Sequence, residues 1–137
     1  MKKPKKQIFI FFKSLEEFKK EALQSIKSRK TNIQPENIIY FDSLASFRGF
    51  MSLQKLEILT LISHAEPNSI YELTRLLDRS LAAVQKDCEA LEQVGFITLE
   101  RKKTGRGQLI PRLKFDYDRI VVELRKHTYE LAFRAVA

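Results

Sequence analysis

Two short stretches carry side chains suited to gripping a nucleic acid. In the first, Arg79-Ser80-Leu81-Ala82-Ala83-Val84-Gln85-Lys86, small residues at Ser80, Ala82 and Ala83 would let a helix backbone approach a groove closely. Gln85 and Lys86 are long enough to reach base edges or phosphates, and Arg79 stands with them on the solvent side. The second stretch, Arg101-Lys102-Lys103-Thr104-Gly105-Arg106-Gly107, holds four basic residues, no acidic one and two glycines. Glycine tolerates the positive backbone dihedrals of a hairpin tip. Arg106, between the glycines, is placed to enter a minor groove, whose negative potential favours arginine. Arg101, Lys102, Lys103 and Arg106 together would contact phosphates and make affinity fall steeply with salt. Either stretch alone fits an ordinary solvated surface; the elements around them decide the matter.

Other chemistry finds little footing. Cys88 is the single cysteine, so neither an intrachain disulfide nor a thiolate metal cluster can form, and its place on an apolar stripe predicts an inert thiol. His64 and His127 have no cysteine or second histidine at ligand spacing, and no Ser-His-Asp arrangement suggests itself. No catalytic constellation, metal site or cofactor is expected.

The elements that must position the two stretches begin at Ser52. Leu53 to Ala65 is apolar at Leu53, Leu56, Ile58, Leu59, Leu61 and Ile62, a face wide enough for a central helix. Glu66-Pro67-Asn68 stops it. Ser69 and Glu72 form a capping box for a second helix whose buried side would hold Ile70, Leu73, Leu76 and Leu77. Only Asp78 and Arg79 separate this from the next start at Ser80, so the two helices must cross. The third helix places Leu81, Val84, Cys88 and Leu91 on one stripe and ends at Gly95. Alternation through Ile97 and Leu99, the basic turn, and renewed alternation at Leu109, Leu113 and Phe115 predict a hairpin. Pro111, lacking a backbone donor, suggests that its returning strand is an edge. The order reads as a winged helix-turn-helix, with a recognition helix at 80–94 and a basic wing at 101–108.

Ahead of it lie Lys2, Lys3, Lys5 and Lys6, read as a tail adding electrostatic attraction, and a strand over Gln7 to Phe12. A helix follows from Ser14 to about Ser28, capped by Ser14 with Glu17 and amphipathic through Leu15, Phe18, Ala22 and Ile26. Arg29 to Glu36 reads as a connector, Ile38 to Phe41 as a second strand, and Asp42 or Ser43 as the cap of a short helix through Met51. Ile120, Val121, Val122 and Leu124 offer one more strand, and Arg125 to Ala137 a short terminal helix. The expected fold is mainly α with a small β component (α+β). Its expected parts are a basic tail and strand-helix-strand extension over 1–42, a winged helix-turn-helix over 43–124, and a C-terminal extension over 125–137. The extension's aromatic residues exceed what three short elements can bury, which favours a dimer interface over partner capture.

The formal charge of +8 and pI near 9.7 are unevenly spread. Residues 1–30 carry ten basic and three acidic side chains, 31–78 three and six, and 79–137 twelve and eight. Positive charge thus gathers away from the packing helices, as a nucleic-acid footprint requires. No apolar run is long enough to span a bilayer, and residues 1–12 lack a signal-peptide core, so a cytoplasmic location is expected.

Several landmarks in order resemble the MarR-like family of predicted DNA-binding winged-helix regulators of bacteria and archaea, some of them antitoxin-like. They are Ser14-Leu15-Glu16-Glu17, Phe41-Asp42-Ser43-Leu44, Lys55-Leu56-Glu57-Ile58-Leu59, Ser69-Ile70-Tyr71-Glu72-Leu73, Val84-Gln85-Lys86-Asp87, Ala90-Leu91-Glu92 with Gly95-Phe96-Ile97, and Tyr117-Asp118-Arg119-Ile120. The resemblance spans roughly Phe12 to Leu124. It implies transcriptional regulation by a homodimer on double-stranded DNA, with Gln85 and Lys86 facing the duplex and Val84 and Asp87 packing and stabilising the helix. Lys86 stands where such proteins commonly have arginine, and lysine's point charge suits a phosphate better than a guanine edge. The alternative expectation is an antitoxin-like interaction module that binds a small protein through its N-terminal segment, with or without autoregulatory DNA binding.

Overall fold

The computed structural model describes residues 7–28, 37–101 and 108–123. Among these residues the fold is mixed α+β, with five helices and five strands in the order β1 (Gln7–Phe12), α1 (Leu15–Ser28), β2 (Ile38–Phe41), α2 (Leu44–Phe50), α3 (Leu53–Ala65), α4 (Ile70–Leu77), α5 (Leu81–Val94), β3 (Ile97–Arg101), β4 (Leu109–Leu113) and β5 (Arg119–Val122). The N-terminal lysines, the 29–36 connector, the basic turn 102–107 and the terminal helix expected over 125–137 lie outside the described residues.

Serine begins every described helix. The hydroxyl oxygens of Ser14, Ser43, Ser52, Ser69 and Ser80 accept from the backbone N–H groups of Glu17, Ser46, Lys55, Glu72 and Ala83, three residues on in each case. Each relieves one of the unpaired donors at a helix start. Ser43, not Asp42, caps α2. In the capping box of α4, the Glu72 carboxylate reaches back to the N–H of Asn68, one residue before the cap.

The chain forms two compact units that divide at Phe50/Met51 and Asp118/Arg119. The first holds a three-stranded parallel sheet in the order β2-β1-β5. In β1 the pleat sends Ile8 and Ile10 to one face, where both are fully buried, and Phe9 and Phe11 to the other. Helix α2 packs at Phe41 through Phe47 and Phe50, with ring centroids 5.2 and 5.6 Å away. Strand Arg119–Val122 and helix Leu44–Phe50, both expected within the 43–124 domain, therefore belong to the first unit. The reason for the strand is register: Gln7 to Ile10 align with Arg119 to Val122, giving the N-terminal strand pair the third member it lacks alone.

Helix α1 sits on this sheet in an unexpected orientation. Its half-buried side is polar, formed by Glu17, Glu21 and Ser25, while Leu15, Ala22, Leu23 and Ile26 remain exposed. A buried cation explains the turn. Lys13, at the end of β1, is 7% exposed, ion-pairs with Glu21, and lies over the rings of Phe18 and Tyr40 at 5.0 and 4.6 Å. A buried ammonium requires a carboxylate, which draws the acidic side of α1 inward.

The second unit packs α3, α4 and α5 with the antiparallel hairpin β3–β4. Its core is Ile58, Leu59, Ile62, Ile70, Leu73, Val84, Cys88, Leu91, Phe96 and Ile97. The buried side of α3 is narrower than its apolar composition suggests. Leu53 and Leu56 are exposed, while Ile58, Leu59 and Ile62 form the side of α3 that is buried in the unit holding α4, α5 and β4. Leu76 and Leu81 are likewise exposed, and Thr74 takes the buried place on α4, its hydroxyl donating to the carbonyl of Tyr71.

In the hairpin, Ile97 aligns with Leu113 and Leu99 with Pro111. The N–H of Leu99 donates to the Glu92 carboxylate at 3.1 Å, so it points away from β4. Pro111 thus faces a position where the ladder calls for no donor, which is how a proline fits inside a strand. Alternation ends at Leu113, short of the expected Phe115, and Tyr117 then turns inward to donate its hydroxyl to the Phe96 carbonyl at 2.9 Å. Burial pushes that phenol well above its usual range.

Gly95 closes α5 with φ at 108°, its N–H bonded to the Leu91 carbonyl. A Cβ there would meet only the Lys114 Nζ at 3.6 Å, so space is adequate and backbone strain alone opposes a side chain. Gly95→Ala should lower unfolding free energy by about 1–2 kcal/mol, read as a lower urea midpoint with unchanged slope; an unchanged midpoint would refute the strain argument.

Candidate functional site

Helix α5 is held by its inner stripe. Val84, Cys88 and Leu91 are fully buried, which turns Ala82, Gln85, Lys86, Glu89 and Gln93 outward. Asp78, in the left-handed region at φ 53°, makes the sharp bend from α4, and Ser80 caps the new helix with its side chain still exposed. Of the predicted contact residues, Ser80, Ala82, Gln85 and Lys86 are exposed at the start and outer side of α5, and Ala83 is half-buried beside them.

Arg79 departs from the expectation. Its side chain is only 18% exposed, with Nη2 lying 2.9 Å from Asp87 Oδ2, while Lys55 Nζ of α3 stands 3.9 Å from the other carboxylate oxygen. The Arg79–Asp87 approach is close but not aligned as a hydrogen bond, and it leaves the guanidinium Nη1 buried and without a hydrogen-bond partner. This cluster ties the bend before α5 to the middle of the same helix and to α3. Arg79 therefore positions the helix rather than reaching outward. Val84 and Asp87, expected as packing and stabilising positions, lie in the core and in this cluster respectively.

Gln85 is oriented in turn. Its Nε2 donates to Glu89 Oε1 at 3.3 Å, one helical turn along the same outer side. The outward surface of α5 thus carries one cation, Lys86, and two carboxylates, Glu89 and Glu92, and is polar rather than strongly positive. The cations are concentrated in the hairpin. Arg101 is exposed at the end of β3, aligned with Leu109, so the two strands flank the basic turn. Lys102, Lys103 and Arg106 lie outside the described residues.

Of the three acidic residues that set this arrangement, Asp87 was expected as a stabilising position, while Glu89 and Glu92 were given no role. The Gln85–Glu89 contact was legible from its i+4 spacing. The partners of Asp87 and Glu92 were not, because Arg79 and Leu99 are brought to them by the bend before α5 and by the return of β3.

A family model, HVO_A0114, matches residues 50–122, more than half of the chain. The protein belongs to the HVO_A0114 family. The match takes in the whole of the second unit, including α5 and the hairpin, together with β5. No curated protein and no solved structure matches this HVO_A0114 member. Among its described residues no helix is long and apolar enough to cross a membrane, and no group of three or more His, Cys, Asp or Glu side chains is placed to hold a metal ion.

Cys88 lies in the core with its thiol pushed up to about 12, first by burial and then by the neighbouring Asp87 carboxylate. An unfolded thiol ionises near 9, so between that pH and 12 the unfolded chain releases a proton that the folded chain retains, and stability must fall as pH rises. The urea midpoint should decline through this window, and less steeply in Cys88→Ala; identical slopes would count against burial as the cause. Asp87→Ala should cost about 1–3 kcal/mol by stranding Arg79, measured by the same denaturation, and Arg79→Met in the Asp87→Ala background should recover part of that loss.

Proposed function

We propose that the second unit is a winged helix-turn-helix and that the protein is a dimeric, MarR-like transcriptional regulator of double-stranded DNA. The observation that carries this reading is the order α3-α4-α5-β3-β4, with α5 turning Ala82, Gln85 and Lys86 outward ahead of a hairpin whose turn is basic.

On this reading α5 enters the major groove. The small residues Ser80, Ala82 and Ala83 allow close approach, and the Gln85 amide, held by Glu89, presents a donor and an acceptor suited to an adenine edge. Lys86 meets a phosphate. Arg101, Lys102, Lys103 and Arg106 supply most of the affinity through phosphates or the adjacent minor groove, releasing counterions as they bind. Two copies place their α5 helices in successive major grooves, about 34 Å apart.

Fluorescence anisotropy with the duplex upstream of the gene and a shuffled duplex, across a salt titration, tests the reading. Tighter binding to the upstream duplex, weakening steeply with salt, is expected. Lys86→Ala and Arg106→Ala should reduce affinity for both duplexes by similar factors, whereas Gln85→Ala should cost discrimination, about 5- to 100-fold for a bidentate base contact. Absence of binding to either duplex at low salt would refute the proposal.

A further inference from the structure

Among the described residues of the first unit, α1 leaves an apolar stripe uncovered. Leu15, Leu23 and Ile26 are 66%, 57% and 74% exposed, and Ala22 is exposed among them. The direction of the stripe follows from helix geometry. Glu17, Glu21 and Ser25 face the sheet, and Phe18, roughly 60° around the helix from Glu21, makes an edge contact with Tyr40 of β2 at 5.3 Å. Leu15, Ala22 and Ile26 lie roughly 60° further in the same sense. They face outward past β2, an edge strand of the sheet.

The pattern of this stripe is self-complementary. Leu15, Lys19, Ala22 and Ile26 share the stripe, and read in reverse Ile26 takes the place of Leu15 and Ala22 that of Lys19. The charges reverse with it: Glu16 and Glu17 lie in the first turn and Lys27 in the last. An antiparallel copy would set the acidic first turn of each helix beside the basic last turn of the other, at both ends at once. A two-fold axis demands this kind of symmetry, since the same patch must serve both partners. Lys19 lies within the stripe, opposite the small side chain of Ala22 in an antiparallel copy; its stem can cover that apolar surface while its ammonium reaches past the helix to water.

We infer that α1 packs antiparallel against α1 of a second copy of this chain, Leu15 of each meeting Ile26 of the other and Lys19 lying over Ala22, with Glu16 paired to Lys27. The inference deepens the dimeric reading proposed above and rests on it. A helix of 14 residues is about 21 Å long, a small contact by the standard of stable interfaces, so the dimer should be concentration-dependent with dissociation at about micromolar levels.

Sedimentation equilibrium of the full chain across a hundredfold concentration range tests it. A monomer–dimer equilibrium is expected, with Ile26→Asp weakening dimerisation at least tenfold while its circular dichroism stays unchanged. Glu16→Lys and Lys27→Glu should each weaken the dimer, and the double variant should restore it, which a different protein partner on this surface would not reproduce. A monomer throughout, or a dimer unmoved by Ile26→Asp and by both charge reversals, would overturn the interface. Anisotropy on the same samples separates the two claims: a monomer that discriminates the upstream duplex overturns the interface alone, and a dimer that ignores DNA overturns the regulator alone.

Discussion

Burial of Val84, Cys88 and Leu91 fixes the rotation of α5 about its own axis, and the identity of every outward residue follows from it. A slip of one position would turn the helix by about 100°, putting Gln85 or Asp87 where Lys86 stands and Cys88 or Ala90 where Glu89 stands. Two devices oppose such a slip. At the start, Asp87 holds Arg79 across the bend; at the end, Gly95 closes the helix and Glu92 takes the N–H of Leu99. Because the last contact joins α5 directly to β3, the hairpin inherits its starting point from the same helix. On the proposed reading, the groove-facing side chains of α5 and the two strands that flank residues 102–107 are thereby set by the same helix.

In the first unit the governing constraint is a buried charge. Ile8 and Ile10 anchor the sheet, each stabilising it by about 2 kcal/mol through loss of contact with water. Lys13, following directly after β1, cannot share that solution. Glu21 and the rings of Phe18 and Tyr40 meet its charge, and the helix that delivers Glu21 must then show its leucines and isoleucine to solvent. The outward stripe is thus the counterpart of an inward ion pair. Removal of Glu21 would leave Lys13 without its carboxylate and remove the reason for the present rotation of α1.

Local signals in the sequence were faithful. Ser14, Ser52, Ser69 and Ser80 mark helix starts, Gly95 marks an end, and the bounds of β1 and α3 follow from their composition. What sequence periodicity could not supply was which apolar residues find partners. Leu53, Leu56, Leu76 and Leu81 fit apolar stripes yet stay exposed, because burial is decided by which neighbouring elements arrive and on which side. The pairing of β1 with β5 was equally hidden, since strand partners distant in the chain leave no local trace. Among the candidate contact residues, the outward placement of Gln85 and Lys86 was legible from their spacing on the helix. The burial of Arg79 was not legible, because its partner lies eight residues on, a separation that only the bend before α5 makes close.

The first unit's sheet joins strands that are more than a hundred residues apart, with the whole of the second unit encoded between them. Such a nested order gives the two units different histories during synthesis. The inserted unit is contiguous and can fold as soon as Asp118 has left the ribosome, whereas β1 has one neighbour until Arg119–Val122 emerges to supply the other. A nascent chain therefore completes its helical insert before its outer sheet, and translation must pass beyond Val122 before that sheet can close.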